Sequence, residues 1–221
     1  MRLLALALLA AAVFVIHAHA RPGRPRTVAE ALARYGPAAK ARFQPLLRSW
    51  PPKRLVFLAF KSEASLEAWA AGDSGPFQKL AAYPILRQSG GLGPKLKEGD
   101  LQVPEGFYGL PVLNPLSQFH LSIRVGYPNE EDIRHSQVPR GEMGGDIYIH
   151  GSDVSIGCLA MGDPAIEELF ALAAAVPKEQ RRVIISPVDF RRGARTPEAR
   201  QPWLKDLYRR LGDELKKFPA S

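Results

Sequence analysis

The stretch from Asp146 to Met161, DIYIHGSDVSIGCLAM, constrains this chain more than any other. It opens on a two-residue alternation, with Ile147 and Ile149 on one side and Tyr148 and His150 on the other. That is the pattern of a strand with one face in a core. Gly151, Ser152 and Asp153 follow, residue types that suit a tight or Asx-type turn. Ser155-Ile156-Gly157-Cys158 then enters a second apolar segment. Two segments joined by a short turn can set His150 beside Cys158, the only cysteine in 221 residues. A thiol nucleophile needs a base within hydrogen-bond reach, because the thiolate and not the thiol attacks. Gly157 permits a backbone conformation closed to other residues, so the amides of Gly157 and Cys158 could turn toward a developing oxyanion. The competing reading of a lone cysteine is a small buried hydrophobe.

The start of the chain bears on that choice. Arg2 precedes an apolar run from Leu3 to Ile16, which ends in His17-Ala18-His19-Ala20. A basic start, a run too short for a comfortable membrane span and an Ala-x-Ala site read as a secretory signal peptide cut after Ala20. An exported lone thiol has no disulfide partner to explain it. Cleavage removes one arginine and no acid, taking the net charge from +8 to +7. Nucleic acid is the usual partner of a basic chain, but no helix-turn-helix, zinc-finger or RRM-like pattern accompanies the charge, and export argues against it. Carboxylate-rich peptides and anionic surfaces fit better.

The rest of the chain suits one core with helical additions. Thr27-Val28-Ala29-Glu30 is a capping-box pattern that starts a helix at Val28, with an interruption at Gly36-Pro37 and a second piece to about Leu47. Strands are expected over 54–61, 66–70, 78–86 and 182–186. Phe119 to Val125 alternates, with Phe119, Leu121, Ile123 and Val125 on one face and His120, Ser122 and Arg124 on the other. If the polar face lines a groove, Arg124 or His120 could bind a carboxylate, with Arg124 favoured because a guanidinium grips carboxylate in bidentate fashion. Tyr127 follows in a loop, and His135 sits in a polar stretch with Glu130, Glu131 and Asp132 that reads as surface. Asp163-Pro164 caps a helix whose Ile166, Phe170 and Ala173 face the core. Positions 189–200 form a basic loop, and Trp203 to Lys216 forms an amphipathic helix with Leu204, Leu207, Tyr208, Leu211 and Leu215 on one stripe. The glycines of Gly90-Gly91-Leu92-Gly93 lack the GK[ST] ending of a phosphate loop and mark a close-approach turn near the substrate. The histidines have no zinc spacing, and no metal or cofactor is expected.

His-Gly-x-x-x-Ser-x-Gly-Cys followed by an apolar residue resembles the catalytic motif of the L,D-transpeptidases with a YkuD-type domain, and of their YafK-like branch in particular. The likeness extends through Ser89-Gly90-Gly91-Leu92-Gly93-Pro94-Lys95, Glu98-Gly99-Asp100, Pro104-Glu105-Gly106-Phe107-Tyr108, Asn114-Pro115, Phe119-His120-Leu121-Ser122 and Gly126-Tyr127-Pro128-Asn129, covering roughly positions 54 to 165. Most members of the wider family carry a histidine where this chain has Ile156, and many carry arginine where it has Ala160; both departures agree with the YafK-like branch.

The resemblance implies an α+β fold: a mainly β catalytic domain, a curved mixed sheet or open barrel, with helices at both ends. The expected division is a signal peptide at 1–20, a helical segment at 21–50, the catalytic domain at 51–190 and the basic loop with its helix at 191–221. It implies a periplasmic or cell-envelope enzyme acting on peptidoglycan stem peptides at the carbonyl of the third-position diaminoacid. His150 and Cys158 are the catalytic pair, with Gly151 and Gly157 in the same motif; Ser155, Arg124, His120 and Tyr127 are the candidate substrate contacts. The Gly151 carbonyl orients His150, or Asp153 does so in its place. The acceptor is another stem's amine, a lysine of an outer-membrane lipoprotein, or water, so that a hydrolase releasing such a lipoprotein or trimming stems is the alternative. A noncatalytic wall-binding protein with a structural Cys158 is the reading from another class.

Overall fold

The computed structural model describes residues 23–199 and 201–220, so the expected signal peptide lies outside the described residues. The fold is α+β, its strands shared between two mixed sheets. In the first sheet the order is β3-β2-β1-β9-β4, formed by β1 (Arg54–Phe60), β2 (Ser65–Ala71), β3 (Gln78–Pro84), β4 (Gly106–Gly109) and β9 (Arg181–Ser186). β1 and β9 run parallel and the other pairs antiparallel. β1 reads as an unbroken apolar run because both of its faces are covered. Leu55, Phe57 and Ala59 join the main core, whereas Val56, Leu58 and Phe60 face a second core. That second core is closed by α4 (Pro202–Leu215), whose expected stripe of Leu204, Leu207, Tyr208, Leu211 and Leu215 is entirely buried.

The second sheet carries the motif. Its order is β5-β6-β7-β8, from β5 (Leu113–Asn114), β6 (Ser122–Arg124), β7 (Tyr148–His150) and β8 (Leu159–Ala160). β7 and β8 are parallel, with Ile149 opposite Leu159 and His150 opposite Ala160. Ile123, Ile149 and Leu159 form one row across the sheet and are fully buried. They pack under α3 (Asp163–Ala174), where Ile166, Leu169, Phe170 and Ala173 are buried as expected. α3 is flanked in turn by α1 (Val28–Phe43). Among the described residues no helix is long and apolar enough to cross a membrane.

Three local expectations are corrected. α1 is continuous, with Pro37 inside it. A proline there costs roughly 3 kcal/mol, but Ala31, Ala39 and Phe43 lie fully or almost fully buried on one side of the helix, and that docking holds both halves in line. β6 begins only at Ser122, because His120 has a φ of 71° and breaks the extended run. Phe119 therefore leaves the core face and is 40% exposed. The polar stretch around His135 is a short helix, α2 (Glu130–His135), capped by Asn129 in a reciprocal box with Asp132; the His135 ring stacks on Trp203 at 4.5 Å.

A buried ion pair joins the end of β1 to the start of β4. Lys61 Nζ lies 3.0 Å from Glu105 Oε1, with the side chains 4% and 0% exposed. Lys61 also donates to the carbonyls of Gly93 and Val103 at 2.8 and 2.9 Å. Glu105 accepts from the Gly93 amide at 2.7 Å and from the Tyr208 hydroxyl at 2.8 Å. Sheet, glycine loop and α4 thus share one satisfied network, the condition under which buried charge is tolerated.

Candidate active site

The face of the second sheet opposite Ile123, Ile149 and Leu159 collects the chemically active side chains. Arg124 pairs with Tyr148, and Ser122 pairs with His150, which pairs with Ala160. Continuing the β7–β8 register one step back sets Cys158 beside Tyr148. His150 and Cys158 therefore share a face and stand diagonally across neighbouring parallel strands. From a strand spacing of about 4.8 Å and a rise of about 3.3 Å per residue, their Cα atoms are about 8 Å apart. Sequence alternation sets His150 opposite Ile147 and Ile149, and the short turn lets Cys158 come beside it; the parallel pairing that gives the shared face is a long-range feature.

His150 is 2% exposed. Its Nδ1 lies 2.6 Å from the Gly151 carbonyl oxygen. A carbonyl only accepts, so Nδ1 carries the proton and Nε2 keeps the lone pair. Of the two expected orienters, Gly151 makes this contact, and Asp153 is exposed. Gly151 itself admits no side chain: a Cβ would sit 2.6 Å from Asp163 Oδ1 and 2.7 Å from the Phe119 carbonyl. The turn is further pinned where the Ser152 amide donates to Asp163 Oδ1 at 2.9 Å. Phe119, assigned to the core by its alternation, instead lays its ring against the imidazole, with centroids 4.7 Å apart and 31° between planes. Burial depresses the His150 pKa below the ordinary histidine value, with the Gly151 hydrogen bond opposing the shift.

Cys158 is half-buried. Its Sγ donates to the Asp146 carbonyl at 3.5 Å. The expected thiol–imidazole hydrogen bond is not formed; each group is held by a backbone carbonyl instead. Burial raises the thiol pKa and the carboxylate of Asp146 adds to that, while a Tyr148 backbone hydrogen bond and Lys95 pull it down. Imidazole and thiol are thus both neutral near pH 7, rather than a standing thiolate–imidazolium pair. Alkylation of Cys158 by iodoacetamide in the folded protein should accordingly keep accelerating beyond the pH at which a free cysteine peptide has levelled off. A plateau near neutrality would contradict this electrostatic picture.

The expected oxyanion donors need a correction. Gly157 has a φ of 129°, a conformation suited to glycine. Yet the amides of Gly157 and Cys158 both donate to Ser155 Oγ, at 3.3 and 2.9 Å, and that hydroxyl donates to the Cys158 carbonyl at 2.7 Å. Ser155 therefore organises the cysteine turn, and its oxygen occupies the position in front of the two amides. Two other expected substrate contacts also have structural partners. His120 Nε2 lies 2.7 Å from Glu167 Oε1 on α3, which supplies the carboxylate that a substrate would otherwise bring. Tyr127 is 2% exposed, with its hydroxyl donating to the Lys95 carbonyl at 3.3 Å. Arg124 remains. It is half-buried, its Nε is buried with no hydrogen-bond partner, and it stands in the row of Tyr148 and Cys158.

The glycine loop forms a wall of the site. The Gln102 side chain accepts from the Gly91 amide at 2.7 Å, and the Gln102 carbonyl lies 3.6 Å from where a Cβ on Gly157 would stand. Two cavities of about 840 and 770 Å³ lie elsewhere, one between this loop and the start of α4, the other beside β4 and β9. Neither is lined by His150 or Cys158.

No family model matches the chain. Two curated relatives, "Putative L,D-transpeptidase YafK" of Escherichia coli K12 and its counterpart in Escherichia coli O157:H7, are each 39% identical to it over 136 residues. The match takes in 60% of this chain and 52% of each relative, so the chain spans about half the length of the curated relatives it matches. Among solved structures, the helical cell shape determining protein Pgp2 of Campylobacter jejuni superposes with a TM-score of 0.51 at 24% identity, over 74% of this chain and 56% of that one. That likeness shows a common fold. The chain is a homologue of the YafK proteins, consistent with the resemblance carried by its motif.

Proposed function

We propose that this YafK homologue is an exported cysteine acyltransferase that works on peptidoglycan stem peptides through a thioester on Cys158. The observation that carries the reading is the placement of a Gly151-tethered imidazole and a half-exposed thiol on one face of paired parallel strands. The homologous relatives named as L,D-transpeptidases supply the substrate class. The apolar run from Leu3 to Ile16 supports the cell envelope as the site of action.

In the reaction, Sγ leaves the Asp146 carbonyl by rotation about Cα–Cβ and turns toward His150 Nε2. The imidazole takes the thiol proton as sulfur attacks the amide carbonyl, forming the C–S bond. Ser155 Oγ moves aside, or is replaced by the oxyanion, so that the Gly157 and Cys158 amides stabilise the tetrahedral centre. Removing one such donor typically costs about 2.7–4 kcal/mol. Collapse breaks the C–N bond, the leaving amine takes the proton from His150, and the thioester remains. An amine acceptor then completes transpeptidation. Water completes hydrolysis.

Incubating purified sacculi with the wild type and with Cys158→Ala, then weighing the released and retained muropeptides, tests the proposal. New cross-links made only by the wild type support transfer. Trimmed stems or shed lipoprotein made only by the wild type support hydrolysis. Identical digests from both proteins would overturn the enzyme reading in favour of a noncatalytic wall-binding protein.

A further inference from the structure

The first two turns of α3 carry two carboxylates, Asp163 and Glu167, four residues apart and so on one face of the helix. Each ties down one of the two turns that flank His150. Asp163 Oδ1 accepts from the Ser152 amide at 2.9 Å, on the turn that follows the histidine. Glu167 Oε1 lies 2.7 Å from His120 Nε2, on the turn that leads into β6. A carboxylate accepts, so Nε2 of His120 carries the proton. The two side chains are 13% and 32% exposed, and the Tyr35 ring of α1 meets the His120 ring edge-on at 6.0 Å. His120 is held with a φ of 71°, a left-handed conformation that is strained for a residue with a side chain and persists where its surroundings fix it. That conformation turns Phe119 off the core face and onto the imidazole of His150. It also presses the chain onto Gly151: a Cβ there would stand 2.7 Å from the Phe119 carbonyl and 3.1 Å from His120 Cβ, and the Gly151 amide donates to the Leu121 carbonyl at 3.1 Å.

We infer that His120, anchored on Glu167, is a positioning residue that holds His150 through Phe119 and Gly151. The inference rests on the reading of His150 as the general base and deepens it. The imidazole has two supports. The Gly151 carbonyl fixes its tautomer and leaves Nε2 free to take a proton, and the Phe119 ring covers its flat side. Both supports sit on or against the turn at 119–121, which the His120–Glu167 contact fastens to α3. That helix is firmly seated, since Ile166, Leu169 and Phe170 are fully buried. Without the anchor, the left-handed φ of His120 is no longer compensated and the turn relaxes. The Phe119 ring then lifts, water reaches an imidazole that is otherwise 2% exposed, and the Gly151 carbonyl loses its fixed direction. Relief of burial lets the His150 pKa rise toward the ordinary histidine value. Less of the base form is then present, and its lone pair faces the thiol less often.

The test is an NMR titration of the His150 ring in the full chain, its signal identified by its loss in His150→Gln, run beside kinetics on a synthetic stem peptide. Glu167→Ala removes the anchor, and Glu167→Gln restores an acceptor without the charge. His120→Asn cannot reach Glu167 but tolerates a left-handed φ, so it should show the same effects in smaller size. In Glu167→Ala the His150 midpoint is expected to rise by about 0.5 pH unit or more, with kcat lower by about tenfold and KM nearly unchanged. Loss of a nearby carboxylate by itself could only lower a histidine pKa, so a rise reports lost cover. The acid limb of the rate profile moves the same way, activity being lost at a higher pH as pH falls. Glu167→Gln recovers part of both effects. A His150 midpoint that does not rise in either Glu167→Ala or His120→Asn, or one that rises with kcat unchanged, overturns the positioning role, whatever happens to Tm. A wild type with no turnover overturns the acyl-transfer reading instead, and the titration then decides alone whether His120 holds the imidazole.

Discussion

Replacing His150 by alanine is expected to lower kcat on a stem peptide by about 10²–10⁴-fold, the usual contribution of a positioned general base. The pH profile identifies the cause. In the proposed mechanism the base is a neutral imidazole whose pKa is depressed by burial. Activity should therefore persist down to the ordinary histidine range of about 6.5 and below it before falling. Without the imidazole, thiolate must come from direct ionisation of a thiol whose pKa is raised. The residual rate of the variant should then climb about tenfold per pH unit across neutrality. His150→Gln serves as a companion, since it refills the space against Phe119 without supplying a base. If either variant keeps the wild-type profile, His150 is not the base.

The second large effect is on stability. Lys61→Met leaves Glu105 buried, charged and short of its counterion, and should destabilise the fold by about 3–5 kcal/mol. For a domain of this size that is a drop in Tm on the order of 10 °C. Burial already presses the Lys61 pKa down against the opposing pull of Glu105. The damage should reach the site, because Lys61 and Glu105 together hold both the carbonyl and the amide of Gly93, in the loop that walls the cysteine turn. Lys61→Met combined with Glu105→Gln removes the stranded charge and should recover part of the loss. Additive melting temperatures in the double variant would contradict the pairing.

Local pattern suffices where a residue's neighbours in sequence decide its environment. β1, β2, β3 and β9 are legible as apolar runs between turn residues, and α4 as a stripe at helical spacing. The motif from His150 to Cys158 is legible as chemistry, and so is the contact between Nδ1 and the Gly151 carbonyl, which involves adjacent residues. What stays hidden depends on distant partners. His120 has a carboxylate only because α3 brings Glu167 to it. Pro37 sits inside a helix only because Ala31, Ala39 and Phe43 dock on the core. Nothing local marks Lys61, at the end of an expected strand, as the partner of Glu105; only the fold brings them together beside α4.

If the reaction runs through sulfur, Cys158 carries an acyl group during turnover. Intact-protein mass spectrometry of the full chain, quenched in acid during reaction with a stem peptide, detects that species itself. The expected spectrum shows an adduct equal to the peptide less its expelled residue, located on Cys158 and absent from Cys158→Ala. Turnover of the peptide at the same rate by Cys158→Ala, with no adduct on the wild type at any time, would rule out the thioester route.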